Sequence, residues 1–343
     1  FAAADILMPA GKRTLSQWVK FANSLRLRLA IRVSMSAPDL ARAEVAKAMD
    51  ATAGGVLESA DETVAVSTES GYKNPLGTVN EGWGEVFMGA TMESVLVGYN
   101  DPRLIKYYSK AEGGDIKDEK GNLIIAERNK IAGTYKGVPQ GTGVTVKDEN
   151  RYRLHSKSTI TKQTDAILMT AAEVWFLRAE AALRGFTSEN VKDCYEKGIT
   201  VSCQQWGVNV GDYLTSDATP SDYVDAFEAK YDVKALIKVT PKWDGGASPE
   251  EQLERILTQK WIACYPEGYE AWTEQRRTGY PQLFKVFVNN SGGAIDTDIR
   301  IRRLPYPSDI QKNNPTQYSA LKKALGGEDN GGTRLWWDTG RNF

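Results

Sequence analysis

Residues 259–281 read "QKWIACYPEGYEAWTEQRRTGYP" and hold two tryptophans, three tyrosines and the adjacent pair Arg276 and Arg277. A cation beside aromatic rings suits a sugar, a phosphate or a carboxylate, and it equally suits a helix end tied into a packed neighbour. The residues upstream favour the second reading. In "SPEEQLERILTQKWIAC", Ser248 is placed to cap a helix, Pro249 sits in its first turn and Glu251 completes a capping box. Leu253, Ile256, Leu257, Trp261 and Cys264 then share one helical stripe, which makes Trp261 a core residue. Pro266 breaks that helix. A second one follows, with Tyr269, Trp272 and Arg276 on its inner side and with Gly279 and Pro281 closing it. Glu274 and Arg277 lie three apart, the spacing of a surface pair, while Arg276 is aimed where Trp272 packs. The stretch reads as scaffold.

Working outward, helix signals come in pairs. "SQWVKFANSLRLRLAIRVS" carries Trp18, Phe21, Ala22, Leu25 and Leu29 at helical spacing, and "PDLARAEVAKAMDATAGG" follows with Pro38 in a first turn and Gly54 and Gly55 as the stop. A second hairpin starts where Thr164 can cap "DAILMTAAEVWFLRAEAALRG"; Gly185 ends that helix and "SENVKDCYEKGITVSCQQWG" returns. Ala179, Ala181 and Ala182 allow close helix approach, and Gly185, Tyr195 and Gly198 sit where tetratricopeptide-type units turn and pack. Two such pairs are too few for a free solenoid, so the pattern expects further repeats upstream of Phe1 or a cap from the rest of the chain.

Between the pairs, residues 54–163 are rich in Gly, Asn, Asp and Lys with short alternating runs, and they read as loops and small hairpins. One helix is expected over "EGWGEVFMGATMESVLVGY".

Composition removes several classes. The 43 basic and 44 acidic residues nearly cancel, leaving no field or basic stripe for nucleic acid. No apolar run approaches the roughly 18 residues of a membrane span. Cys194 and Cys203 share a helix about 13 Å apart by rise and on opposite sides, so with Cys264 they read as buried thiols. The single His155 rules out a poly-histidine metal site and leaves no supported Ser-His or Cys-His arrangement.

Six strings together resemble the SusD/RagB family: "ILTQKWIACYPEGYEAWTEQRRTGYP", "WVKFANSLRLRLAIRVS", "MTAAEVWFLRAEAALRG", the "NDPRL" turn at Asn100 to Leu104, "RRLPYPSDIQKNN" and the terminal "RLWWD". The resemblance covers essentially the whole chain. It implies a mostly α fold, with tetratricopeptide-like hairpins in a superhelix and an irregular loop and small-hairpin binding face. It also implies a surface-exposed lipoprotein of the outer membrane that captures a glycan or another nutrient for a TonB-dependent SusC-type transporter. Residues 1–343 are then one SusD-like domain, expected to lack the family's usual N-terminal helices and its lipid anchor, with residues 54–163 contributing to the binding face. Trp243 and the Trp336–Trp337 pair fall in family-like motifs and are taken as packing elements.

A search for reactive groups gives no enzyme. Glu173 and Glu180 share a helix face about 10 Å apart by rise, beyond the carboxylate separation of an inverting glycosidase, and Glu180 precedes Arg184 at the spacing of a surface ion pair. "GVPQGTGV" runs into a strand-like segment rather than a helix, so it does not cradle a phosphate. Asp115, Asp118 and Glu119 lack the spacing of a calcium loop, and no metal or cofactor is expected.

Sugar binding needs no reactive group. A pyranose stacks an apolar face on an aromatic plane while polar side chains take its hydroxyls. Aromatics in polar loops, off the helical stripes, are therefore the candidates: Tyr72 beside Asn74, Trp83 beside Asn80 and Glu81, and Tyr135 near Gln140. The stripe residues Trp18, Trp175, Trp206, Trp261 and Trp272 are set aside. Peptide capture on the same scaffold is the alternative reading, and a glycoside hydrolase a more remote one.

Overall fold

A computed structural model describes residues 2–143 and 150–343. The strand-like run expected after "GVPQGTGV" lies outside the described residues. Eleven α-helices are present among them: α1 (Leu15–Arg32), α2 (Pro38–Ala48), α3 (Pro75–Trp83), α4 (Ala90–Gly98), α5 (Leu104–Tyr107), α6 (Ala171–Leu183), α7 (Val191–Gln205), α8 (Pro249–Ala263), α9 (Gly268–Thr278), α10 (Ser308–Asn313) and α11 (Pro315–Leu325). Four short strands accompany them: β1 (Val64–Val66), β2 (Ile116–Lys117), β3 (Leu123–Ile125) and β4 (Ala166–Met169).

The helical pairs follow from their punctuation. Thr14 caps α1 through a bond from the Gln17 amide, Pro38 opens α2, and Asn190 caps α7. On α8 the Ser248–Glu251 capping box forms as the spacing predicts. α6 is the hub, packing against α7, α8 and α1. Its partner α7 comes close because position 198 is glycine: a Cβ there would stand 2.9 Å from the Phe176 ring. The main core gathers Leu27, Ile31, Phe176, Tyr195, Ile199 and Ile256 from these helices, and all three cysteines are buried free thiols.

Three local expectations are corrected. Thr164 does not cap α6; Thr170 does, its Oγ1 accepting from the Glu173 amide. The intervening Ala166–Met169 is drawn into strand β4, antiparallel to β1 a hundred residues earlier. The single helix expected over residues 81–99 is two helices, because Gly84 takes φ 65 and ends α3 directly after Trp83. Trp336 is 68% exposed rather than packed, whereas Trp337 lies with its ring centroid 5.0 Å from the Arg276 guanidinium.

A larger correction concerns the pairs read as surface contacts. Glu180–Arg184 and Glu274–Arg277 are buried, because α1, α6, α8 and α9 close over them. Arg28 forks onto Glu173 at 2.6 and 2.5 Å, and Arg32 reaches Glu270 at 2.7 Å. Arg277 grips Glu180 with two 2.7 Å bonds and Glu274 with two more, of 2.6 and 3.2 Å. Lys260, 1% exposed, stands 3.2 Å from Glu270 and 3.4 Å from Glu274. Burial opposes the charge on Glu274, but Arg277, Lys260 and Arg32 hold its carboxyl well below the usual range.

The "NDPRL" turn has a comparable role. Asp101 takes bonds from the Arg103 amide and guanidinium, and fully buried Arg103 reaches on to Ser202 of α7 and Gln259 of α8. The described residues of 54–163 then form short helices, strand β1, the β2–β3 hairpin and isolated bridges such as Phe87–Lys157.

Candidate functional site

Asn74 starts α3, its Oδ1 accepting from the Leu76 amide, with Pro75 in the first turn. The helix is short because Gly84 adopts the left-handed conformation, its amide closing on the Asn80 carbonyl. Trp83 therefore stands at the very end of α3, 61% exposed, and the chain turns away into extended backbone at Phe87. An indole this open offers a flat apolar face to whatever enters beside it.

Trp83 lines a cleft of about 600 Å³. Phe87 and Lys157 supply one side, the lysine Nζ 5.9 Å from the Phe87 ring centroid. The β2–β3 hairpin supplies another through Lys117, Asp118, Glu119 and Ile124, and Arg153 ties in by donating to the Lys117 carbonyl at 3.2 Å. Three cations, Lys117, Arg153 and Lys157, face three carboxylates, Glu85, Asp118 and Glu119. This balance gives hydrogen-bonding capacity of both signs without a strong net field.

Of the seven residues singled out in the sequence, the cleft takes Trp83 alone. Asn74, 4% exposed, donates to the Thr164 carbonyl at 3.0 Å, and Asn80 donates to the carbonyls of Ser158 and Ile160 at 2.7 and 2.8 Å. Glu81 accepts from the Lys162 amide at 3.0 Å. The expectation that Asn74 and Asn80 meet a ligand is thus corrected: their amides pin α3 to segment 158–165 and so aim Trp83. Tyr135 is half-buried against the main core, Tyr72 is 37% exposed outside the cleft, and Gln140 faces a different cavity beside α9. Phe87, Lys117, Asn150, Arg153 and Lys157 were not anticipated. Small hairpins are expected somewhere in residues 54–163 from their composition, but nothing local shows that β2–β3 meets residues 83–87.

Chemically, the cleft offers an aromatic plane and polar groups. The carboxylates once paired as a candidate couple are elsewhere, Glu173 locked to Arg28 and Glu180 to Arg277 and Arg184. In the cleft, Asp118 is held below the ordinary carboxylate range by bonds from the Asn122 side chain and amide, the opposite of what a general acid needs. Burial and the neighbouring Glu173 push Glu267 up to about 7, but it sits at the start of α9 accepting from the Glu270 amide and lines no wall of this cleft. His155 is buried between Tyr152 and Phe227. Among the described residues, no group of three or more His, Cys, Asp and Glu side chains is placed to hold a metal ion. None of the described helices is long and apolar enough to cross a membrane.

A family model described as "SusD-like: Susd and RagB outer membrane lipoprotein" matches residues 9–338, and the chain belongs to that family. No curated protein matches it. Among solved structures it is similar to a SusD homologue from Bacteroides vulgatus, at 53% identity and a TM-score of 0.86 over 96% of this chain and 64% of that one. It is also similar to a chitin-binding SusD homologue from Flavobacterium johnsoniae, at 36% identity and a TM-score of 0.87 over 99% of this chain and 67% of that one. A homologue from Bacteroides uniformis matches at 33% identity and a TM-score of 0.85, over 100% of this chain and 68% of that one. The chain thus spans about two thirds of the length of these relatives, and slightly less of the first.

Proposed function

We propose that the protein captures a glycan at the outer-membrane surface without cleaving it, and hands it to a TonB-dependent SusC-type transporter. The observation that carries this reading is Trp83, exposed at a helix end and turned to a cleft with equal numbers of both charges. Every residue lining that cleft lies within 54–163, the segment read as the binding face of a single SusD-like domain. Likeness to a chitin-binding homologue supports a sugar as the ligand, and the family's description as outer membrane lipoproteins supports the location. Carboxylates consumed by arginines in the helical body support capture over hydrolysis.

The test is affinity electrophoresis of the protein and its Trp83→Ala variant through gels containing a panel of host and plant polysaccharides and soluble chitin. One glycan should retard the parent while the variant runs free. Retardation of both to the same extent, or of neither by any glycan, would overturn the reading, and retention by peptides instead would replace it.

A further inference from the structure

The outer face of α9 lines two adjoining cavities that share no residue with the Trp83 cleft. One, of about 570 Å³, has Trp261, Trp272 and Tyr108 among its walls, with Asn289, Asn290 and Gln140 as polar neighbours. The other, of about 400 Å³, is lined by six cations, and Asp298 is its one carboxylate. The two meet at Gln275, Leu283, Thr297 and Arg300.

Charge bookkeeping separates the six cations. Arg277 is neutralised by Glu180 and Glu274, and Arg302 and Arg334 share Asp338. For Arg276, Arg300 and Lys285, no carboxylate among the described residues lies within ion-pair distance. Arg276 is 7% exposed and its buried Nε has no hydrogen-bond partner, although its other nitrogens donate to the Arg302 carbonyl and to Thr273. It stacks on Trp272, 3.6 Å from the ring centroid, so it stands between the aromatic and the cationic cavity. Arg300 adopts φ 63, a left-handed conformation that is strained for a non-glycine residue. Three contacts keep it there, to the carbonyls of Leu283 and Phe284 and to Gln140 Oε1. Burial, with the like charges of Arg32 and Arg302, pushes Arg276 down to about 10, and the more distant Asp338 and Glu270 offset this only in part.

From this geometry we infer a second glycan site on the outer face of α9, one that binds the carboxylate of a uronic acid residue at Arg276 and Arg300 while its ring rests against the Trp261–Trp272 wall. The site rests on the glycan-capture reading and specifies a ligand class for it. Guanidinium forks match a planar carboxylate, and Lys285, exposed at the rim, adds a point charge. A neutral sugar would leave these cations as they are, so the acid group is what distinguishes the ligand.

The experiment is titration calorimetry at low salt with trimers of galacturonic, glucuronic and mannuronic acid, each run beside its methyl ester. The parent should bind at least one acid tenfold or more tighter than its ester, with the difference shrinking as salt rises. Arg300→Gln should remove that difference, and Lys285→Ala, at an exposed position, should reduce it several-fold. Trp83→Ala should leave it intact. Binding of no uronate, equal binding of acid and ester, or a preference abolished by Trp83→Ala but untouched by Arg300→Gln and Lys285→Ala would overturn the second site. Retention of a neutral glycan that depends on Trp83 would survive each of those results, so failure here is distinguishable from failure of the capture reading.

Discussion

The two faces of α9 use the same residue types for opposite ends. On the inner face Glu270, Glu274 and Arg277 are buried and every charge meets at least one of opposite sign. Helical spacing places Tyr269, Trp272 and Arg276 inward, but their face is the outer one. Tyr269 is exposed there, and Arg276 meets the Trp272 ring, backbone and Thr273 while its Nε has no hydrogen-bond partner. The stretch 259–281, read as scaffold, is scaffold on one side and cavity wall on the other. Helical spacing shows which residues share a face, but whether that face is covered is decided by helices far away in the chain.

The largest expected effect breaks the inner face. Glu274→Ala leaves Lys260 and Arg277 buried with fewer partners, and should lower unfolding free energy by about 3–5 kcal/mol in urea titrations. A loss below about 1 kcal/mol would mean that the network is no stronger than a surface pair. Asn80→Ala comes next: it orphans two carbonyls that hold α3 in place, for a loss of about 1–3 kcal/mol together with weaker glycan retention. Trp83→Ala should abolish retention while shifting stability by no more than about 0.5 kcal/mol, as an exposed side chain allows. Asn80 and Trp83 thus separate aiming a platform from being one.

The smallest net effect is in pH, where two groups oppose each other. Burial, with Lys136 nearby, pushes His155 down to about 3, so the folded protein stays unprotonated there while the unfolded chain binds a proton below about 6.5. On its own this group costs stability on acidification from about pH 6.5, at no more than about 1.4 kcal/mol per pH unit. Glu267, pushed up to about 7, works the other way between pH 7 and its unfolded value near 4.5, since the folded state there holds the extra proton. Between pH 6.5 and 5 the two contributions offset each other, so His155→Gln should tilt the stability profile toward greater stability in acid and Glu267→Gln toward less. Parallel profiles for parent and both variants would show that neither group is linked to folding.

The helices were legible where caps and periodicity agree, as at Ser248–Glu251 of α8 and Asn190 of α7. They were misread where a distant partner intervened. Ala166–Met169 has helical neighbours on its C-terminal side but pairs with Val64–Val66, a contact no local window contains. Gly84 stood in plain view within "EGWGEVF", yet one glycine inside an apolar pattern does not announce that the helix stops there. The site followed the same rule. Trp83 was singled out because it is aromatic and off the stripe, whereas Lys117, Arg153 and Lys157 line the same cleft only through long-range packing. Trp261 and Trp272 were set aside because they lie on stripes, and both are half-buried against a cavity.

The most direct measurement is a crystal structure of the protein soaked with the glycan that retards it most in the gel. The account predicts a pyranose ring lying flat on the Trp83 indole, with hydroxyls reaching the β2–β3 hairpin and the Arg153–Lys157 wall. A glycan bound on the helical hairpins, with the Trp83 cleft empty, would contradict it.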